Sequence, residues 1–143
     1  DLAGPCMFAI TMGISRVLYG KYGEKIPLEK FMMGSTALCV SSYLLISLSP
    51  WPALSLVGCA VCGLSVGIMW PGTFSTAAAS LRTGGTAMFA LLALGGDLGC
   101  SGGPTLVGLV SDALGGNMKL GILAGIVFPV TMALCLFGKR KKA

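Results

Sequence analysis

The sequence predicts an all-α membrane protein with five transmembrane helices. The chain is 55% hydrophobic and only 10% charged, whereas soluble domains carry about 25% charged residues. Its charged residues divide it into apolar stretches of roughly 20 residues, the length that a helix needs to cross a hydrocarbon core of about 30 Å. Its basic residues are also concentrated in every second turn between these stretches. With so little charge, the chain cannot cover a globular surface with water-compatible side chains, so lipid must surround much of it.

Prolines and polar turns separate the predicted spans. No charged residue occurs from Phe31 to Leu81, which is too long for one span and suits two. Between them lies Ser49–Pro52, where two prolines interrupt helical hydrogen bonding. Further turns are predicted at Arg82–Gly85 and at the polar segment Ser111–Asn117. The five spans are therefore predicted at about residues 2–19, 31–48, 53–77, 86–110 and 120–137.

The distribution of basic residues predicts the orientation. If successive spans cross the membrane in alternating directions, Lys119 is the only basic residue predicted on one side of it. The turn that contains Trp51 lies on that same side. The positive-inside rule then places the other side, and with it the C-terminus, in the cytoplasm. That side holds nine basic residues: Arg16, Lys21, Lys25, Lys30, Arg82, Lys139, Arg140, Lys141 and Lys142.

The beginning of the sequence predicts additional helices upstream. The chain opens at Asp1, directly before an apolar stretch, without an initiating Met. It shows no basic segment followed by a short apolar core, the pattern of a signal peptide. We therefore expect the N-terminal helices of the same protein to be partners of this chain.

Glycines recur at four-residue intervals along three spans. This G-x-x-x-G spacing places small residues on one helical face, where two backbones can approach closely. We expect these faces to pack helix on helix, although a glycine-rich chain also produces the spacing by chance. The residues are Gly95, Gly99 and Gly103, then Gly63 with Gly67, and Gly121 with Gly125.

Asp97 is an acidic residue near the middle of the fourth span. An ionised carboxylate facing lipid would cost several kcal/mol, so Asp97 is expected to face a water-filled cavity, to pair with another group or to be protonated. Each possibility makes it a candidate for proton or cation coupling. The alternative is a structural hydrogen bond to a neighbouring helix.

The third span carries a proline between an aromatic and a hydroxyl side chain. Pro71 frees a backbone carbonyl and permits a kink, and interrupted helices line the binding sites of transporters. Met69, Trp70 and Thr73 flank it. We interpret these three residues, with Asp97, as candidates for binding a sugar-like or other polar organic solute, the alternative being simple packing.

No pattern in the sequence indicates catalysis, and we predict no enzyme activity, no cofactor and no metal. The chain has no His, no G-x-S-x-G and no phosphate-binding glycine loop. Cys59 and Cys62 have the C-x-x-C spacing but lie in an uncharged run, so packing is favoured over a redox or zinc site.

The segment from Gly13 to Lys25 resembles the signature loop of the major facilitator superfamily, which joins the second and third helices of each six-helix half. The family pattern has an acidic residue, a basic one, any residue, Gly and two basic ones. Here Gly20 replaces the acid and Glu24 replaces one base, as in the degraded copy of the second half. The matching positions are Lys21, Gly23 and Lys25, with Arg16 upstream.

Two further segments are similar to that family, most closely to its fucose-permease-like group. The Pro71–Thr73 kink resembles the tenth helix, and Gly99–Gly108 resembles the eleventh. The resemblance implies helices eight to twelve, most of the C-terminal six-helix bundle of a twelve-helix transporter. It further implies proton-coupled symport of a small polar solute by alternating access in a bacterial inner membrane.

The expected partners are the lipid bilayer, a small-molecule solute and the upstream helices, with no nucleic acid. A non-transporting membrane protein, such as a sensor or assembly subunit, is the alternative.

Overall fold

A computed structural model describes residues 2–142, and these residues form helices joined by short turns, with no strand among them. The α-helical fold class is thereby confirmed for this part of the chain. A single 3₁₀ turn, Gly23–Lys25, follows the first helix. The helices are α1 (Ala3–Tyr22), α2 (Leu28–Leu48), α3 (Pro52–Ser80), α4 (Gly85–Ala113), α5 (Met118–Ala124) and α6 (Val127–Lys142).

Within residues 2–142, three helical segments are long and apolar enough to cross a membrane: Leu28–Leu48, Pro52–Ser80 and Met118–Lys142, the last comprising α5 and α6. The length and composition of these helices are those of membrane-spanning helices. The predicted first and fourth spans correspond to α1 and α4, which are long enough but less apolar. Arg16 in α1, and Asp97 with its glycines in α4, lower their hydropathy.

Prolines and glycines set the helix ends where the sequence predicts turns. Pro27 precedes α2, and Pro52 is the first residue of α3, a position that tolerates proline because its amide would have no helical partner. After α4, Gly115 and Gly116 adopt positive φ angles of 75° and 81°. The Gly116 amide donates to the Ser111 carbonyl at 2.8 Å, which satisfies a carbonyl that the helix end would otherwise expose.

The predicted fifth span is not one continuous helix. It is divided at Gly125 and Ile126, between α5 and α6. Pro129 explains the division, because a proline ring clashes with the carbonyl four residues earlier, here that of Gly125, and provides no amide to bond it. The Phe128 amide donates to the Gly125 carbonyl instead, at 3.2 Å.

The segment from Gly13 to Lys25, which resembles the signature loop of the major facilitator superfamily, is mostly helical. Arg16, Gly20 and Lys21 lie in the last turns of α1, which continues three residues beyond its predicted end at Tyr19, and only Gly23 and Lys25 lie in the 3₁₀ turn. Gly20 does not end the helix because one glycine inside an otherwise good helical sequence costs only about 1 kcal/mol.

Helix α3 packs most extensively on α1 and α2. Helix α2 also contacts α5 and α6, and α4 packs on α5. The hydroxyl of Ser15 in α1 donates to the Leu64 carbonyl of α3 at 2.6 Å. The Lys139 ammonium donates to the Ser80 hydroxyl at 3.0 Å, so α3 and α6 end on the same side of the bundle.

This arrangement gathers nearly all the positive charge at one end of the bundle, here called the basic end. Lys30 and Arg140 line one cavity there, and Lys139 donates to Ser80, two residues before Arg82. Lys119 lies at the opposite end, where its ammonium donates to the Ser49 carbonyl at 2.6 Å. The separation of charge agrees with the predicted alternation, while the cytoplasmic location of the basic end stays a prediction.

Small, hydroxyl-bearing side chains fill the interior of the bundle, whereas large apolar side chains cover its outside. Thr36, Ser42 and Ser65 are 1% exposed, whereas Leu91 and Leu134 are 69% and 67% exposed. Each of these three hydroxyls donates to a carbonyl of its own helix, three or four residues earlier. Water would oppose this distribution, but a bilayer favours it, because lipid-exposed leucines cost nothing and small residues let helices approach.

Candidate functional site

The close contact of α1 with α3 depends on two glycines. A β-carbon placed on Gly63 would overlap the Thr11 hydroxyl and the Phe8 carbonyl, and one on Gly67 would lie 2.8 Å from the Met12 carbonyl. Backbone atoms cannot move aside as a flexible side chain can. Gly63 and Gly67 therefore form a helix–helix contact, as their spacing predicts.

The Gly121 and Gly125 pair also packs closely, but against two different helices. A β-carbon on Gly121 would meet the Val107 carbonyl of α4 at 2.5 Å, and one on Gly125 would meet the Tyr43 ring of α2 at 3.1 Å. These contacts hold α5 between α4 and α2.

The longest glycine stripe contacts nothing in the described chain. No atom of another described helix lies within 4 Å of a β-carbon placed on Gly95, Gly99 or Gly103. The predicted packing of this face does not occur within residues 2–142. Contact with helices outside them stays a prediction.

Three of the four predicted binding residues share one cavity. Met69, Trp70 and Thr73 line a cavity of about 360 Å³ between α2, α3 and α6, a volume within the range of small-molecule sites. Residues on other helices complete its wall, among them Tyr43 of α2 and Phe128 of α6. The Thr73 hydroxyl donates to the Met69 carbonyl at 2.6 Å, so its oxygen retains accepting capacity toward the cavity.

The aromatic side of the cavity continues onto α4. The rings of Trp70 and Phe74 meet edge to face, with centroids 4.8 Å apart, and Phe74 stacks on Phe89 of α4 at 5.6 Å. A β-carbon on Gly96 would overlap the Trp70 ring. Gly96 thus allows the indole to lie directly against α4, and Asp97 is the next residue of that helix.

Asp97 does not line the cavity with Met69, Trp70 and Thr73. Its side chain is exposed on α4, and its backbone carbonyl accepts a bond from the Ser101 hydroxyl at 2.9 Å. The structure therefore places the fourth predicted residue outside the cavity, next in the chain to Gly96, which packs against the Trp70 ring.

A larger cavity of about 510 Å³ lies between α1, α2 and α3 near the basic end. It includes Tyr19, Tyr22 and Ser15 but none of the four predicted binding residues. Its Ser15 hydroxyl already bonds the Leu64 carbonyl. The smaller cavity is the better candidate site because one of its lining residues, Trp70, packs against α4, the helix that carries Asp97.

Sequence reasoning did not identify Tyr43 or Phe128 as part of the site. Both are single aromatic residues in apolar runs, and nothing local distinguishes them from lipid-facing residues. Their positions follow from the packing of α2 against α5 and α6.

The described residues contain no group of three or more His, Cys, Asp or Glu side chains that could hold a metal ion. Cys62 is buried, and Cys59 is partly buried. Compared with known proteins, the chain matches no protein-family model, no curated protein and no solved structure.

Proposed function

We propose that the protein carries a small polar solute across a membrane by secondary active transport, using the cavity at Trp70. The observation that carries the proposal is the sharing of one cavity by Met69, Trp70 and Thr73, next to a helix with an acid near its middle. An aromatic face with hydroxyl oxygens suits sugar-like or other organic molecules, because the ring covers the apolar face of a solute while the oxygens bind its polar groups.

Coupling to a proton gradient is assigned to Asp97. A carboxyl group at membrane depth must reach water or a polar partner, and such residues mark ion and proton pathways. In this proposal the exposed face of α4 borders an aqueous pathway, lined on its other side by further helices of the protein. Protonation of Asp97 then changes the charge on α4 next to Gly96, the residue on which the Trp70 ring packs.

Alternating access is assigned to movement of α4 against those further helices. Close packing along the stripe of Gly95, Gly99 and Gly103 would allow two helices to slide or rock with little steric resistance. Five spans, and membership of the major facilitator superfamily, are part of the same proposal. They rest on the loop segment at Lys21 and on the separation of basic residues.

Uptake by the intact protein in proteoliposomes tests the proposal. Labelled sugars and organic acids are offered under an imposed proton gradient, and we expect one class to accumulate. Trp70→Ala should then raise the half-saturation concentration at least several-fold, because the cavity loses its aromatic wall. Trp51→Ala is the matched control, since Trp51 is 69% exposed in the turn before α3 and lies outside the cavity.

Binding without movement would favour the alternative, a sensor or assembly subunit. In that outcome a solute would protect the protein against thermal unfolding, and Trp70→Ala would abolish the protection, yet no solute would accumulate. Failure of every solute both to bind and to accumulate would refute the proposed site.

A further inference from the structure

A third cavity lies on the outer surface of the bundle, in the groove between α2 and α6. It encloses about 370 Å³. Most of its wall is apolar, formed by residues such as Ala37, Val40, Ala133 and Phe137. Phe137 is 53% exposed, so the groove opens away from the bundle and shares no lining residue with the cavity at Trp70.

Two basic side chains lie at one end of this groove. Lys30 from the first turn of α2 and Arg140 from the end of α6 both line it, and none of its lining residues is acidic. Two positive charges lining one cavity repel each other unless an anion lies between or beside them. The charge distribution therefore favours a ligand with a negative group at this end.

The length of the groove corresponds to one leaflet of a bilayer. Its α2 wall runs from Lys30 to Val40, and ten residues of helix rise by about 15 Å, which is half of a hydrocarbon core about 30 Å thick. The cations lie where headgroups would be, and the apolar wall extends toward the middle of the membrane.

We propose that this groove binds one anionic phospholipid, with its phosphate between Lys30 and Arg140 and an acyl chain along Ala37 and Val40. The inference rests on the membrane location of the bundle and is independent of transport. A lipid fits better than another helix because only an amphiphile matches both the paired cations and the apolar wall. Basic pockets between transmembrane helices recognise anionic headgroups through the same combination.

The test is native mass spectrometry of the intact protein in detergent, titrated with phosphatidylglycerol or with phosphatidylcholine of the same chain length. We expect the first phosphatidylglycerol to bind more tightly than phosphatidylcholine. The double variant K30Q/R140Q should weaken that first step roughly ten- to thirty-fold, since each cation near an anionic headgroup contributes about a factor of five. Binding of phosphatidylcholine should not change.

A charge-matched control separates a site from general attraction to the basic tail. K141Q/K142Q removes the same charge from two exposed residues that do not line the groove, and it should keep the first affinity within about two-fold of the wild type. Equal weakening by both double variants would overturn the proposal, as would equal affinity of the wild type for both lipids.

A steric variant gives an independent answer if K30Q/R140Q does not fold. Ala37→Phe should fill the groove and lower phosphatidylglycerol binding at least ten-fold, while Leu44→Phe, at another exposed position of α2 outside the groove, should not. Unchanged binding in Ala37→Phe would show that the groove is not the lipid site, for instance because another helix fills it in the intact protein.

Discussion

The Ser47 hydroxyl of α2 donates a hydrogen bond to the Lys119 carbonyl of α5 at 2.8 Å. The Lys119 ammonium in turn donates to the Ser49 carbonyl at 2.6 Å. The two bonds join the end of α2 to the start of α5, at the end of the bundle opposite the basic residues. The second bond engages the side chain of Lys119, the basic residue that lies at this end.

Ser47→Ala should destabilise the folded protein, because it leaves the Lys119 carbonyl without this donor. Ser47 is 7% exposed, so water cannot readily replace the hydroxyl, and a loss of about 1 kcal/mol is expected. Thermal unfolding in detergent measures it. Ser41→Ala removes an exposed hydroxyl that bonds only within its own helix, and it should leave the unfolding temperature unchanged. Equal unfolding temperatures for the two variants would contradict the assigned role of Ser47.

Gly63→Ala should separate α1 from α3. The added methyl group would overlap the Thr11 hydroxyl and the Phe8 carbonyl, and overpacking of a close contact costs about 1–3 kcal/mol. Gly13→Ala is the control, because its methyl group meets no atom within 4 Å. A lower unfolding temperature for Gly63→Ala alone is expected. If both variants were equally stable, α1 and α3 would be less closely packed than the structure indicates.

Gly99→Leu tests whether other helices cover α4. Within the described chain a larger side chain at Gly99 meets nothing, so destabilisation would have to come from contacts outside it. We expect the intact protein carrying Gly99→Leu to express poorly or to unfold at a lower temperature. Gly108→Leu is a matched control, because Gly108 is also uncrowded and lies about half a turn away from the stripe. Wild-type behaviour of Gly99→Leu would show that the stripe faces lipid.

Asp97→Asn should abolish solute accumulation driven by a proton gradient and leave solute exchange intact. The amide keeps the shape of the carboxyl group but cannot take up and release a proton. Uptake and exchange measured on the same reconstituted protein distinguish the two effects. Asp112→Asn, at an exposed acid near the end of α4, should alter neither. Normal accumulation by a folded Asp97→Asn protein would refute proton coupling at this residue.

Cysteine labelling tests the orientation. In a variant lacking the six native cysteines, cysteines at Trp51 and Asp112 should react with a membrane-impermeant maleimide on intact cells. Cysteines at Lys25 and Lys142 should react only after the membrane is opened. The bond between Lys119 and Ser49 requires the turns containing Trp51 and Asp112 to lie at the same end. Labelling of one of them from each side would contradict the fold as well as the orientation.

The sequence by itself determined the helices and the two ends of the bundle. Length and apolarity are local properties, and prolines such as Pro50 and Pro52 act on the backbone next to them. The charge-free stretches and turns therefore predicted helices α1 to α4 to within a few residues at most of their ends. The fifth span was predicted as one continuous helix, although Pro129, which removes the hydrogen bond to the Gly125 carbonyl, was a local signal of its division.

Only the tertiary structure decided which helix faces meet. Gly63 with Gly67, and Gly95 with Gly99, have the same spacing, yet the first pair is pressed against α1 and the second is uncovered by the described residues. Spacing specifies a face, whereas contact depends on residues far away in the chain. For the same reason the grouping of Tyr43 with Trp70, and of Lys30 with Arg140, follows from helix packing and not from any local sequence pattern.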